Sequence, residues 1–151
     1  MKTPTLNWTY KHFDQLTTRE LYAILSLRSE VFVMEQQCNY QDLDGKDLKC
    51  HHLMAWDDDK LVAYTRIVPA GVSFVEASIG RVLTNASYRR IGAGVTLLQK
   101  SIEKVYETHG RQPIRIGAQL YLKKFYESFG FVKDSDEYLE DDIPHIEMIL
   151  A

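Results

Sequence analysis

Cysteine, net positive charge and long apolar runs are all scarce in this sequence of 151 residues. Its two cysteines, Cys38 and Cys50, are too few for a disulfide framework and lack CxxC spacing, so we expect reduced thiols. A net charge of -3 and a pI near 5.9 provide no overall attraction for nucleic acid. No apolar run approaches the roughly 18 residues of a membrane span, and the first residues are too polar for a signal peptide. We therefore expect a soluble, cytoplasmic protein.

Two segments have some ligands of a metal site but do not complete one. Cys50 is followed by His51 and His52, yet adjacent side chains of a strand point to opposite faces, which disfavours a shared zinc ion. The segment QDLDGKD contains the glycine of a calcium loop, but Tyr40 and His51 fall where the first and last acidic ligands belong. We predict no metal and interpret this segment as a solvated turn.

The composition suits a single domain over residues 1–151, because 45% of the residues are hydrophobic. Thr17 and Glu20 have capping-box spacing ahead of an apolar helical stripe, which predicts a helix from about 18 to 33. Arg28 lies close to that stripe and needs either an anionic partner or a route to water. We favour the route to water.

The rest of the chain alternates between strand and helix patterns. The runs HHLMAW and KLVAYTRIV flank three aspartates, 57–59, and predict a hairpin, while ASIGRVLT (77–84) predicts a strand. Gly80 inside that strand indicates a bulge or a close approach. PIRIGAQ and HIEMIL predict two more strands, and YLKKFYESFG predicts a short helix ended by Gly130. The buried face of the helix after residue 94 is predicted to consist of Val95, Leu98, Ile102 and Val105. These patterns indicate an α/β or α+β domain with a mixed sheet.

The segment RRIGAG, residues 89–94, joins the strand at 77–84 to this helix. Backbone N–H groups at the start of a helix bind anions well, and glycine permits a close approach. A P-loop lysine is missing, and Leu97 stands where a dinucleotide fingerprint has its third glycine or alanine. The pattern favours a phosphate ligand other than ATP or NAD.

Two motifs resemble those of the GNAT acetyltransferases. Arg89, Gly92 and Gly94 match the [RQ]xxGx[GA] coenzyme A signature, and FYESFGF (125–131) resembles the helix and tight turn that follow it. The segments LRSEVFVMEQQCNYQDLDGKD, AYTRI, IGRV, GAQ and DDIPHIEM occur in the order seen in the ElaA-like branch. The sequence is thus similar to that branch from about Trp8 to Met148.

The resemblance implies a GNAT fold with helices on both faces of a six- to seven-stranded mixed sheet. The sheet would be splayed into a V between its fourth and fifth strands, with Gly80 at the opening bulge. The implied cofactor is acetyl-CoA, without a metal. Its implied contacts are Arg81, Val82 and Leu83 for the pantetheine, the amides of Arg89, Arg90, Ile91, Gly92, Ala93 and Gly94 for the diphosphate, and Gln119.

The implied reaction is acetyl transfer to a primary amine by direct attack in a ternary complex. At neutral pH only about one lysine-like amine in 2,500 is unprotonated, which corresponds to roughly 4.6 kcal/mol, so a base is needed. Tyr126 matches the family's general acid, and a backbone N–H near Val82 would polarise the thioester. The candidate bases, with the two favoured ones first, are His145, Glu35, Glu76, His52 and Glu147.

Several alternatives stay open. Cys38 or Cys50 as an acyl carrier is disfavoured because no neighbour activates either thiol. A different acyl-CoA, as in the distantly similar acyl-homoserine lactone synthases, or a non-catalytic coenzyme A sensor would fit the same fold. The acidic run EYLEDD (137–142) is interpreted as solvated, although it would attract a cationic amine. The acceptor is not identified, and a homodimer is possible.

Overall fold

The computed structural model describes residues 5–37 and 41–151, which form two sheets of four strands each. The strand bounds are β1 Asn7–His12, β2 His51–Asp57, β3 Lys60–Val68, β4 Ser78–Thr84, β5 Ile114–Gln119, β6 Val132–Lys133, β7 Tyr138–Glu140 and β8 Ile143–Leu150. The first sheet has the order β1-β2-β3-β4. In the second sheet, β8 pairs with β5 on one edge and with β6 and β7 on the other.

Three α-helices accompany the strands of the described ranges: α1 Thr18–Arg28, α2 Ala93–His109 and α3 Lys123–Glu127. The helix predicted from residue 18 is confirmed, and it continues beyond α1 as a π-helical segment, Ser29–Glu35. Met54 of β2 clusters with Ile24 of α1, whereas its neighbour Leu53 clusters with Leu97 of α2. Because neighbouring strand residues point to opposite faces, α1 and α2 cover opposite faces of the first sheet. No helix of the described residues is long and apolar enough to cross a membrane.

The two sheets separate between β4 and β5. These strands run parallel and share one isolated bridge, between Ala77 and Ile114, whereas the paired strands within each sheet are antiparallel. The crossover from β4 to β5 is made by α2, as a parallel connection requires. The predicted mixed α/β fold with a splay between the fourth and fifth strands is therefore confirmed, and the short β6 and β7 raise the strand count to eight.

A bulge interrupts β4 close to the expected glycine. Tyr64 pairs with Leu83 and Arg66 pairs with Gly80, so Thr65 faces two residues, Arg81 and Val82. Arg81 adopts a left-handed conformation with a φ of 50°. Gly80 itself lies just before the bulge, and a Cβ there would make an ordinary contact, 3.4 Å from Nε of Arg66.

Two predictions about charged residues are wrong. Arg28 has no route to water: it is 0% exposed and bonds to Asp42 and Asp47 at 2.8 Å each. The segment QDLDGKD is accordingly not a solvated turn, since Asp47 is buried. Burial alone would lower the pKa of Arg28, but the hydrogen bond that Arg28 donates to Asp47 and the nearby carboxylate charges raise it above its ordinary value.

The buried face of α2 differs from the predicted one. Leu98 and Val105 are buried as expected, but Val95 is 46% exposed, and Leu97 and Ser101 are buried instead. A polar side chain is tolerated there because the Ser101 hydroxyl donates to the carbonyl of Leu97 at 2.7 Å and bonds to Thr65 of β3. The buried face of α2 therefore includes a polar contact with the sheet, which the spacing of hydrophobic residues cannot predict.

Candidate active site

A cleft of about 1040 Å³ opens where β4 and β5 separate. Its first wall, called the glycine wall below, consists of β4, the 3-10 segment Ala86–Ile91 and the start of α2. Its second wall, called the hairpin wall, consists of β5 and the β7–β8 hairpin, with α3 at its base. The volume lies at the upper end of the range for small-molecule sites.

The glycine wall presents main-chain N–H groups at the start of α2. Gly92 caps the helix in a left-handed conformation, with a φ of 77°, and no side chain caps it. The first N–H groups of an α-helix have no partner within the helix, and they lie at its positive end. Of the six residues predicted here, Arg89 and Gly94 line the cleft. The other four are the exposed Arg90, Ile91 and Gly92 and the buried Ala93.

The two glycines of this turn differ in what they require. A Cβ added to Gly92 would meet nothing within 4 Å, so only its left-handed backbone favours glycine. A Cβ on Gly94 would make ordinary contacts, at 3.8 Å to Thr84 and 4.0 Å to Phe125. Packing therefore tolerates alanine at position 94 but the backbone strains it at position 92.

Glu35 lies at the glycine wall because of its partner. Its carboxylate accepts a hydrogen bond from Arg89 at 2.8 Å, and the same guanidinium donates to the carbonyl of Thr84 at 3.1 Å. Both Glu35 and Arg89 line the cleft. Glu35, one of the two favoured bases, is thus paired with Arg89, the cation expected to attract phosphate.

Tyr126 lies at the base of the cleft. The predicted glycine cap behind it is confirmed: Gly130 has a φ of 99°, and the amides of Gly130 and Phe131 donate to the carbonyls of Glu127 and Tyr126. Tyr126 is 5% exposed, lines the cleft, and forms no hydrogen bond through its hydroxyl with any described residue. Burial, with a smaller contribution from Tyr121, raises the pKa of Tyr126 above its usual range. The phenol therefore stays protonated and available as a donor.

His145 faces the cleft from the hairpin wall. Its Nδ1 lies 2.7 Å from the carbonyl oxygen of Ile143, so Nδ1 carries the proton that is donated there. This leaves Nε2 as the basic nitrogen, 3.4 Å from the carboxylate of Glu140. The ring stacks on Tyr138, with centroids 5.8 Å apart. A histidine fixed in this tautomer has the form required of a proton acceptor.

Glu147 and Glu76 share one arginine on the hairpin wall. Arg115 donates to Glu147 at 3.1 Å and to Glu76 at 3.1 Å and 3.3 Å. The hydrogen bond from Arg115 lowers the pKa of Glu76, which lies outside the cleft lining. Glu147 does line the cleft. Glu76 is thereby stabilised in the charged form, which weakens it as a base, and Glu147 is bonded to the same guanidinium.

Gln119 links the hairpin wall to the end of the π-helical segment. Its amide donates to the side chain of Gln36 at 3.2 Å, and both residues line the cleft. Gln36, Tyr138 and Glu140 were not foreseen from the sequence, because they reach the site through the π-helical segment and the hairpin. The only signal for Gln36 was its position in MEQQC, part of a family-like segment, and the only one for Tyr138 and Glu140 was the acidic run EYLEDD, which was interpreted as solvated.

His52 and Cys50 are buried away from the cleft lining. His52 bonds to the hydroxyl of Tyr64 at 2.6 Å and to the carbonyl of Asp47 at 3.1 Å, and burial lowers its pKa to about 4. Burial also raises the pKa of the Cys50 thiol to about 11, so the thiolate is disfavoured. His51 stacks on Tyr10 and does not share partners with His52. Cys38 lies outside the described residues, and among those described no group of three His, Cys, Asp or Glu is arranged to hold a metal.

Residues 15–151 match the family described as acetyltransferase (GNAT) domain. The chain belongs to the GNAT family. It is 41% identical over 145 residues to protein ElaA of Escherichia coli K12, covering 95% of each chain. The crystal structure of E. coli ElaA covers 97% of this chain and 100% of its own with a TM-score of 0.92, which confirms the ElaA-like branch.

Other GNAT structures agree with this assignment. An acyl-CoA N-acyltransferase from Pseudomonas aeruginosa is 44% identical, with a TM-score of 0.93, and covers 97% of this chain and all of its own. An aminoglycoside 6′-N-acetyltransferase, solved with coenzyme A, is 17% identical with a TM-score of 0.67 over 93% of this chain and 95% of its own. That second likeness concerns the fold alone. Family membership identifies an acyltransferase-type domain.

Proposed function

We propose that the chain is an acetyl-CoA-dependent N-acetyltransferase that moves an acetyl group to a primary amine by direct attack. The observation that carries the proposal is the cleft itself, in which the bulged β4 lies beside the uncapped start of α2. A thioester carrier with a diphosphate has one extended arm and one anionic group. Each has a matching surface on the glycine wall.

The extended arm would lie along β4. At the bulge two residues, Arg81 and Val82, face one residue of β3, which leaves backbone groups outside the regular ladder. The backbone of this part of β4, together with Leu83, would hydrogen-bond a pantetheine. The diphosphate would lie on the amides of residues 89–94, where the positive end of α2 and the guanidinium of Arg89 favour an anion. The coenzyme A complex of the aminoglycoside acetyltransferase, which shares the fold, supports this type of ligand.

The transfer would balance as follows. The neutral amine attacks the thioester carbonyl carbon, a C–N bond forms, the C–S bond breaks, and the amine loses a proton to Nε2 of His145. Glu140, 3.4 Å from Nε2, would stabilise the imidazolium. The leaving thiolate would accept a hydrogen bond from Tyr126. Because burial raises the pKa of Tyr126, full proton transfer to a thiolate of pKa about 8.5 is uphill, and hydrogen-bond donation is the better description.

A covalent acyl intermediate on Cys50 is not part of the proposal. The thiol is buried, its pKa is raised to about 11, and it donates to the carbonyl of Lys46 at 3.1 Å. Glu35 is assigned to the glycine wall through its ion pair with Arg89. Its carboxylate would pair with that guanidinium, in competition with the diphosphate, rather than remove the amine proton.

The test measures binding and turnover separately. Calorimetry with coenzyme A tests the cleft, and thiol release from acetyl-CoA is then followed with polyamines, amino acids, aminoglycosides and peptides. We expect binding together with thiol release that depends on an amine. Release from a longer acyl-CoA alone would change the donor, binding without turnover of any amine would indicate a coenzyme A sensor, and the lack of any binding by folded protein would refute the proposal.

A further inference from the structure

Three guanidinium groups and three carboxylates form one cluster beneath the bulge of β4. Its members are Arg28, Arg66, Arg81, Asp42, Asp44 and Asp47. The guanidinium side chains come from α1, β3 and β4, whereas all three carboxylates come from the short segment 42–47. The formal charges cancel, and the side chains of Arg28 and Arg66 are 0% and 4% exposed.

Two of the carboxylates grip the bulge residue. Asp42 accepts from Nε of Arg81 at 2.7 Å through its carboxylate and from Nη2 at 3.0 Å through its carbonyl. Asp44 accepts from the same guanidinium at 3.4 Å. Asp47 bonds instead to Arg28 and Arg66. The cluster therefore contains two carboxylates that bond to Arg81 as well as to Arg28 or Arg66, and a third, Asp47, that bonds to Arg28 and Arg66.

Arg81, to which Asp42 and Asp44 bond, has an unfavourable backbone conformation. A left-handed φ of 50° is uncommon for a residue with a Cβ, and it persists when surrounding contacts compensate for it. The bulge depends on this conformation, because regular pairing after Gly80 would place one residue, not two, opposite Thr65. A shift of one residue would also exchange the faces of the following side chains, including Val82, which lines the cleft.

We infer that Asp42 and Asp44 are positioning residues of the cofactor site, which hold the Arg81 side chain and thereby keep its backbone in the left-handed form that opens β4. They act through Arg81 and are not expected to touch the acyl carrier. The inference rests on the proposed function, since it concerns the surface offered to coenzyme A. It assigns a positioning role to the segment QDLDGKD, which lies far from the glycine signature in the sequence.

The decisive test compares Arg81→Gly with Arg81→Ala. Both variants lose the gripped side chain, but glycine adopts a left-handed backbone without strain and alanine does not. A penalty of about 1 to 2 kcal/mol corresponds to roughly a five- to thirtyfold change, so calorimetry should give a coenzyme A Kd at least about fivefold weaker for Arg81→Ala than for Arg81→Gly. Equal Kd values for the two folded variants would overturn the inference.

A second comparison does not depend on Arg81→Ala folding. Asp42→Asn loosens the grip on Arg81, whereas Asp47→Asn removes a more buried carboxylate from the same cluster without touching Arg81. We expect the Kd for coenzyme A to rise more in Asp42→Asn, although Asp47→Asn loses at least as much thermal stability. In an Arg81→Gly background Asp42→Asn should add little to the Kd. If Kd follows stability in all variants, the cluster is structural only.

The experiments distinguish a failure of the positioning role from a failure of the proposed function. If the unaltered protein does not bind coenzyme A, the proposed function fails and the comparison of Arg81 variants has no signal. If the unaltered protein binds coenzyme A while the glycine and alanine variants bind it equally, the function stands and the positioning role is wrong.

Discussion

The two walls of the cleft present different kinds of chemical group to a ligand. The glycine wall offers peptide groups, arranged by the left-handed Gly92 and the bulge at Arg81. The hairpin wall offers side chains, and the partners that orient them, such as Ile143 and Glu140 for His145, come from the β7–β8 turn. Main-chain sites depend on backbone conformation, whereas side-chain sites depend on neighbours. Substitutions on the two walls should therefore affect different measured quantities.

The largest expected effect comes from Tyr126→Phe. The variant removes the hydroxyl group of a side chain that is only 5% exposed, and it leaves the aromatic ring in place. Loss of the donor to the leaving thiolate should lower kcat by about 100-fold or more, with little change in the Kd of coenzyme A. Thiol release and calorimetry measure the two quantities.

The matched control is Tyr22→Phe, which removes a hydroxyl from a side chain that is 78% exposed on α1. It should leave turnover unaltered. A Tyr126→Phe variant with the full kcat would show that Tyr126 is not the donor to the leaving thiolate.

The next effect distinguishes a core histidine from the histidine of the hairpin wall. Burial lowers the pKa of His52 to about 4, below its unfolded value of about 6.5, so the native state binds this proton less readily. Its contribution to stability is complete above the unfolded pKa and is lost as the pH falls toward 4. The free energy of unfolding should drop by about 2 kcal/mol from this residue between pH 7 and pH 5. Urea unfolding at several pH values measures the slope.

In His52→Gln the slope over this range should become shallower, whatever the variant's stability at pH 7. Burial also lowers the pKa values of His51 and His109, so part of the slope should remain. His145→Gln, in contrast, should alter the pH profile of kcat/KM. If His52→Gln had the same acid sensitivity as the unaltered protein, the buried neutral histidine would not be its source.

A smaller effect is expected on the glycine wall from Gly92→Ala. The added methyl meets nothing within 4 Å, but the φ of 77° strains it by about 1 to 2 kcal/mol. Relaxation of the turn should weaken coenzyme A binding by about fivefold or more. Gly110→Ala is the matched control, because Gly110 has a φ of 84° at the other end of α2 and also has open space. Both variants should lose stability, and a loss of affinity in both would contradict a cradle at residues 89–94.

The smallest effect is expected from Glu35→Gln. The ion pair with Arg89 is partly exposed, with 34% and 48% of the two side chains accessible, so it contributes less than about 1 kcal/mol. Its removal should free Arg89 for the diphosphate and tighten coenzyme A binding by about two- to threefold at low salt. Titrations at two salt concentrations measure this. A large fall in kcat at constant affinity would instead identify Glu35 as the base.

The same contrast explains what could be predicted from the sequence. Special backbone conformations are signalled by Gly92 and Gly130, and the start of α2 and the cap of α3 lie where these two glycines indicate. The hairpin between β2 and β3 follows equally from its aspartates. Local geometry of this kind depends on few neighbours, so a single sequence specifies it.

The errors concern groups whose partners are distant. Arg28 was expected to reach water because Asp42 and Asp47 lie 14 and 19 residues away, in a segment whose acidity looked like solvation. Val95 was expected to be buried because Ser101, satisfied by Thr65, was not expected in the core. Spacing reveals which residues share a face, but not which charges or hydroxyls meet across the fold.

The left-handed glycine at the start of α2 also has a consequence for protein engineering. A grip made of peptide groups stays the same when surface side chains are exchanged, provided that the backbone keeps its path. Libraries intended to change the acceptor of the proposed acetyltransferase should therefore diversify the β7–β8 loop and spare residues 92–94. Every variant in the library would then keep the same binding site for the proposed acyl donor.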